Sequence, residues 1–186
     1  MSPLVRLAFL AVAWILWLLP FFIRQSKGTQ KAVQVATGAR WGIVLVSIGF
    51  MAVFMHRPEA WAAEFSPVRL CVGAVFAFCG ILLSWTAVAG LGRQWRVDAG
   101  LNADHELVRS GPYRIVRHPI YASMLCMLLT WIAAIGTLPG WPIAIVLFIV
   151  GTEIRVWVED RLLRSRFHEQ FDQWQKSVPA YLPFIR

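Results

Sequence analysis

The sequence predicts an all-α fold, a polytopic membrane bundle of about five transmembrane helices followed by a cytoplasmic amphipathic helix. Three observations predict it. Of 186 residues, 58% are hydrophobic and only 15% are charged, where an ordinary soluble domain carries about 25% charged residues. The apolar residues are gathered into five runs, and the basic residues fall between those runs with a strong bias. The length suits one domain, 1–186. Its first half, 1–91, holds three spans, and its second, 92–186, is expected to carry the chemistry.

Span one is placed at 4–23. Only Arg6 lies in its start, and no small-x-small site follows Phe22, so the reading is a retained anchor with "FFIRQSKGTQK" as its stop-transfer flank. Span two is placed at 41–55 and span three at 68–90. Span four is 119–138 and span five 141–158. A helix needs roughly 20 apolar residues to cross a bilayer, so spans two and five are short. Between spans four and five, "TLPGW" is a tight uncharged hairpin. Trp41, Trp61 and Trp141 fall near span edges, where indole rings settle at headgroups.

Charge orients the chain. Fifteen of its 18 Lys and Arg residues lie between spans one and two, between spans three and four, or from the end of span five onward, and Arg6, Arg57 and Arg69 lie on the other side. The positive-inside rule then puts the N-terminus outside and the C-terminus in the cytoplasm. A bacterial inner membrane is the expected location. The formal charge of +8 does not indicate nucleic acid, because the basic residues form no continuous patch. Cys71, Cys79 and Cys126 all sit in apolar runs without a CxxC or Cys/His pair, so neither a metal site nor a disulfide framework is expected. Spans one to four carry no charge at mid-span, which argues against a transporter.

The connection from Gly92 to His118 is long for a chain with such short outer turns. It contains "DHELVRSGPYRIVRH". Gly111–Pro112 reads as a turn, His118 stands where an N-cap belongs, and Pro119 suits the first helical position. A helix start there attracts a carboxylate or phosphate, and Tyr121 falls on nearly the same face as His118. Span five ends in "TEIRVWVEDRLLRSRF", with Glu153, Arg155, Glu159 and Asp160. Arg155 and Glu159 are four apart and share a helix face, which is equally the pattern of an interfacial salt bridge. No proline interrupts 144–178, so the helix can continue beyond the lipid. Phe167, Phe171 and Trp174 recur at i, i+4, i+7, a stripe suited to the membrane surface or to covering a pocket.

"HELVRSGPYRIVRHPIYAS", "RVWVEDRLLRSRF" and "VPAYLPFI", in that order, resemble the isoprenylcysteine carboxyl methyltransferase family, a relative of phospholipid N-methyltransferases and membrane thiol methyltransferases. The resemblance covers about 92–186. It implies a helical membrane bundle holding S-adenosylmethionine in a cytoplasm-facing pocket. On it, His105, Glu106, Leu107, Val108, Tyr113, His118, Pro119, Ile120 and Tyr121 match cofactor contacts. Arg155 matches the arginine that faces the methyl acceptor, and Glu159 matches the first acid of an "EE" pair that contacts the cofactor. The second acid is here Asp160, with no role carried over. "VPAYLPFI" matches a wall of the site. The implied acceptor is a lipophilic or lipidated molecule entering from the bilayer.

The chemistry is compatible with that resemblance. Methyl transfer from a sulfonium needs alignment more than acid–base help. A carboxylate acceptor is ionised at neutral pH, and Arg155 can hold it by a two-pronged bond. A thiol would need its pKa lowered, and an amine would need to lose a proton with no dedicated base evident beyond His105 or His118.

Overall fold

A computed structural model describes residues 3–24, 34–35, 38–55, 66–95, 100–101, 105–137 and 139–183. Six helices follow one another among these residues. They are α1 (Pro3–Ile23), α2 (Ala39–Ala52), α3 (Pro67–Leu91), α4 (Pro119–Ile135), α5 (Gly140–Phe167) and α6 (Glu169–Ser177). One small ladder was not foreseen: β1 (Gln34–Val35) pairs antiparallel with β2 (Gly100–Leu101). It ties together the two connections that the charge pattern assigns to the same side. Trp61 lies outside the described residues.

Each of the five apolar runs forms a helix. α1, α3 and α5 are long and apolar enough to cross a membrane. α2, with 14 residues, reaches about 21 Å at about 1.5 Å per residue, well short of a hydrocarbon core of about 30 Å. α4 has 17 residues. Helix starts follow local chemistry. Ser66 is extended and Pro67 opens α3. His118 is the N-cap of α4 and Pro119 its first residue, as the fixed φ of proline favours.

α5 is longer than span five and runs on to Phe167. This extension beyond the lipid-length span is the one the absence of proline allowed, and the chain then turns at His168, which has φ +46°, before the separate amphipathic helix α6. No glycine or proline marks that break. It is imposed from outside, by burial of Phe171 and Trp174 against Tyr113 and Ala87. The aromatic stripe therefore faces the interior of the fold, and the alternative of a surface-lying stripe is not what α6 adopts.

Packing pairs α2 with α5 and α3 with α4, and α1 leans on α3. The contact of α2 with α5 carries small buried residues, Ala39, Gly42 and Gly49 on one helix and Gly140, Ala144 and Gly151 on the other, beside Val46 and Phe148, so backbones approach closely, as in membrane helix pairs generally. An aromatic chain crosses the bundle through Phe54, Trp131, Trp14, Trp17, Phe21 and Trp95, with neighbouring ring centroids 4.9 to 6.0 Å apart. Outward faces stay apolar and exposed: Val12 and Ile15 on α1, Val75 and Phe78 on α3, Val146 and Trp157 on α5. Exposed apolar surface on this scale needs lipid to cover it. Four buried charged residues, Arg117, His118, Arg155 and Asp160, gather where α4 begins and α5 nears its end, while a further one, Arg6, lies on α1. That gathering defines the site.

Candidate active site

The loop before α4 is built by turns. Gly111 has φ +58°, the left-handed region that glycine adopts at no steric cost, and it opens a 3-10 turn, Gly111–Arg114. This turn carries Tyr113 inward onto Gly90 of α3, whose missing Cβ leaves room for the ring at 3.3 Å. The Tyr113 hydroxyl donates to the Ala87 carbonyl at 3.3 Å. Burial, and then the charge of Glu159, push that phenol above its ordinary range, so it remains a neutral donor.

The next residues are fastened by the C-terminal segment. The amides of Arg117 and His118 donate to the carbonyls of Pro179 and Ala180 at 2.8 and 2.7 Å. Tyr181 packs with Tyr121 and Val156 and donates to Glu153 at 3.0 Å. "VPAYLPFI" thus contributes backbone acceptors that hold the start of α4 in place. None of its described residues lines the cavity, so it supports the site from behind and is not the wall that the resemblance implies.

Five charged side chains and the Tyr121 phenol form one network. The Arg117 guanidinium donates to Asp160 Oδ2 at 3.0 Å and to the carbonyls of Gln175 and Val178. His118 Nε2 donates to Asp160 Oδ1 at 2.9 Å, and its Nδ1 lies 3.4 Å from Glu159 Oε2. Arg155 Nη2 donates to Glu159 Oε1 at 2.9 Å, and its Nε to the Tyr121 hydroxyl at 2.5 Å. Tyr121 in turn donates to Glu159. The carboxylates that meet the side chains at the start of α4 are therefore the chain's own Glu159 and Asp160. Burial alone would lower the pKa of His118, but the bonds to Asp160 and Glu159 outweigh it and raise it to about 9. His118 is then a cation at neutral pH, between two carboxylates. Asp160, for which the sequence offered no role, is only 4% exposed and joins Arg117, His118 and, at 3.0 Å, the Gln175 amide of α6.

All of these groups but Asp160, which stands behind them, line one cavity of about 340 Å³, within the size range of small-molecule sites. All eleven residues singled out from the sequence line it: His105, Glu106, Leu107, Val108, Tyr113, His118, Pro119, Ile120, Tyr121, Arg155 and Glu159. Sequence reasoning had not placed Gln94, Trp95, Arg117, Met124, Leu162 and Leu163 there, nor Ile43, Val46 and Ser47 of α2. Trp174 had been noted only as part of a stripe, and it is a wall residue. Signals for some were present, since Arg117 adjoins His118, and Leu163 and Trp174 carry on the apolar face of the C-terminal helices. Nothing local marks α2.

The cavity has two ends. Towards Tyr113, Leu107, Val108, Leu163 and Trp174 it is apolar and aromatic. Arg155 meets Gly42 of α2 and Tyr121 of α4, and those same two helices give the lining Ile43, Val46, Ser47 and Met124. Three buried nitrogens around it have no hydrogen-bond partner: Arg155 Nη1, Trp174 Nε1 and Arg117 Nε. A buried donor left unmade costs about 1–3 kcal/mol, so the walls are short of acceptors.

Comparison with known proteins follows the same lines. The chain is 28% identical over 145 residues to the cobalt-zinc-cadmium resistance protein CzcN of Cupriavidus metallidurans, covering 77% of this chain and 62% of that one. It is 27% identical over 119 residues to protein-S-isoprenylcysteine O-methyltransferase B of Arabidopsis thaliana, covering 61% and 58%. It is 30% identical over 125 residues to the protein-S-isoprenylcysteine O-methyltransferase of Tribolium castaneum, covering 64% and 42%. The chain thus spans about three fifths of the length of the first two relatives. Residues 68–170, more than half the chain and the part that holds the ionic network, match the phospholipid methyltransferase family, and the chain belongs to that family.

Proposed function

We propose that the protein is an S-adenosylmethionine-dependent membrane methyltransferase acting on the carboxylate of a lipophilic, prenylcysteine-like acceptor. The observation that carries this reading is the division of one cavity into an apolar aromatic end and an end where a buried arginine keeps a nitrogen without a partner.

The residues present fit the cofactor. Tyr113 and Trp174, with Leu107, Val108 and Leu163, make a surface for a nucleoside base, and the unpartnered Trp174 Nε1 awaits an acceptor. Glu159, three-quarters or more shielded from solvent, would face the cationic centre, and His105 and Glu106 would hold the polar end. When bound, the cofactor supplies a methyl group on a sulfonium and departs as a neutral thioether.

The chain's own groups supply placement. Arg155 Nη1 would bind one carboxylate oxygen of the acceptor. Its other nitrogens are held by Tyr121 and Glu159, so the guanidinium is fixed in direction before the acceptor arrives. Pre-set geometry of this kind is what an in-line displacement needs. The arginine's charge is already countered by Glu159, so the acceptor oxygen keeps its nucleophilicity. An amine acceptor suits the site poorly. It would have to give up a proton, and both nitrogens of His118 already face carboxylates.

An acceptor with an apolar tail would lie against Ile43, Val46 and Met124 and reach the cavity from the bilayer, with the site facing the cytoplasm. Detergent-purified protein, given labelled S-adenosylmethionine, tests this with N-acetyl farnesylcysteine, a simple thiol and phosphatidylethanolamine side by side. Label in a base-labile methyl ester of the first is the expected result. Label only in the thiol or in the lipid amine overturns the carboxylate assignment.

A further inference from the structure

We infer that Gly42, on a helix that lies outside the family-matched segment, is a positioning residue for Arg155, and that α2 is by that contact part of the site. The inference rests on the reading above that Arg155 meets the methyl acceptor.

Arg155 stands one helical turn after Gly151 on α5. At this level the backbones of α2 and α5 touch. A Cβ on Gly42 would fall 2.5 Å from Arg155 Cγ, 2.6 Å from the Gly151 carbonyl oxygen and 3.4 Å from the Arg155 amide nitrogen. A Cβ on Gly151 would likewise fall 2.7 Å from the Gly42 carbonyl oxygen. Carbon atoms do not share such distances, so the missing side chain of Gly42 is the passage through which the stem of Arg155 leaves its helix.

The guanidinium lies beyond that passage. From Cγ it extends over Cδ and Nε to Cζ, and it finishes on Tyr121 and Glu159. A stem forced aside at Cγ must change a side-chain torsion, and the displacement grows along the chain towards the head group. A misplacement of about 1 Å is enough to cost on the order of 10²-fold in rate. The other escape is separation of the helices. That would withdraw Ile43, Val46 and Ser47, which share α2 with Gly42 and border the cavity beside Arg155. Both responses act first on the acceptor end, because the end made by Tyr113 and Trp174 is supplied by α3, the loop before α4, α6 and, through Leu163, the far end of α5 about three turns from Gly151.

Gly49 supplies the control. It sits two turns along the same seam, where a Cβ would meet the Ala144 carbonyl at 3.0 Å and the Phe148 amide at 3.2 Å. It strains the helix contact without touching Arg155.

The test compares Gly42→Ala and Gly49→Ala in full-length protein in detergent. Two readouts are used: steady-state methyl transfer to N-acetyl farnesylcysteine with S-adenosylhomocysteine binding alongside, and the NMR resonance of the Arg155 Nε–H, identified by its loss in Arg155→Lys. Gly42→Ala should lower acceptor kcat/KM by about tenfold or more, keep S-adenosylhomocysteine affinity within about threefold, and move the Arg155 resonance. Gly49→Ala should leave the resonance in place and kcat/KM within about threefold. In an Arg155→Ala background, Gly42→Ala should cost little further activity, because the residue it acts through is gone. An unmoved resonance in Gly42→Ala, equal losses in both glycine variants, or full additivity with Arg155→Ala would each overturn the inference. If Gly42→Ala does not fold, Gly42→Ala combined with Arg155→Ala, which removes the Cγ, should fold. Failure of that pair as well places the conflict on the Gly151 backbone and also overturns it. Should the wild-type chain methylate none of the three acceptors, the proposed function fails, and the resonance alone decides whether Gly42 places Arg155.

Discussion

At the residue scale, the three nitrogens of Arg155 have different fates, and those fates predict kinetics. Nε is held by Tyr121, Nη2 by Glu159, and Nη1 by nothing. Arg155→Ala should therefore lower acceptor kcat/KM by at least about tenfold, as expected for a charge-assisted bond of about 1.5–3 kcal/mol. S-adenosylhomocysteine affinity measured by calorimetry should nearly hold. Arg155→Lys keeps charge without the planar fork and should restore only part of the activity. Glu159→Gln should act first on cofactor affinity, and a loss confined to acceptor KM would mean the two roles are exchanged. His118 predicts a pH dependence. Its pKa is raised to about 9 in the folded chain from an ordinary value of about 6.5. The stabilisation from its charge is thus complete below about pH 6.5 and is lost as pH rises through about 9. Melting temperature in detergent should fall across that window, and His118→Gln should flatten this part of the profile. A wild-type slope identical to that of His118→Gln would show that the imidazole is neutral in the fold. How legible was this site? HPxY and the i, i+4 pair were visible as types and spacing. The network was not, because Asp160 finds Arg117 and His118 across more than forty residues and only packing brings them together.

At the element scale, α6 is the informative case. Its amphipathic stripe was readable from spacing, and its direction was not. The helix turns back on the site at His168, and side chains stitch it down: Gln175 to Asp160, Arg109 to the Gln170 carbonyl at 2.9 Å, Arg164 to Asp172 at 2.7 Å. These ties are unequal. Arg164 and Asp172 are about half exposed, and such pairs contribute about 0–1 kcal/mol. Asp160 is buried, and removing it leaves Arg117 without a carboxylate and His118 with Glu159 alone, a change that costs about 3–5 kcal/mol in comparable buried pairs. Asp160→Ala should therefore lower thermal stability severely and loosen S-adenosylhomocysteine binding, while Arg164→Ala changes both little. Equal effects would show that α6 is held by its apolar face alone. The break itself can be tested. His168 holds φ +46°, a region where a non-glycine residue costs about 1–3 kcal/mol. His168→Gly should raise the melting temperature, and a fall would mean that the His168 ring makes a contact worth more than the strain.

At the scale of the whole molecule, five apolar helices and one charged end were legible from composition and run length, since lipid demands both. The partnership of α2 with α5 was not. A short helix with a seam of alanine and glycine states that something packs closely against it and does not say what, so the first 91 residues read as spans only. The structure interleaves the halves, with α2 of the first laid along α5 of the second. Orientation follows from charge. Arg24 and Arg40 flank the first connection, and Arg109, Arg114 and Arg117 the third, while the pairing of β1 with β2 puts those two connections on one side. Arg164 and Arg166 at the end of α5 join them. Arg69 lies at the other end, donating to the carbonyls of Ile132, Ala133 and Gly136 at the finish of α4, so its charge is engaged in closing a helix and weighs less as a topology signal. The positive-inside rule then predicts that reporters fused after Lys31, Ala99 and Arg186 read as cytoplasmic and one fused after Ala62 as external. An external reading at Ala99 would turn the charged end, and with it His118, Arg155 and Glu159, away from the compartment that supplies S-adenosylmethionine, and would overturn the orientation and the proposed reaction together.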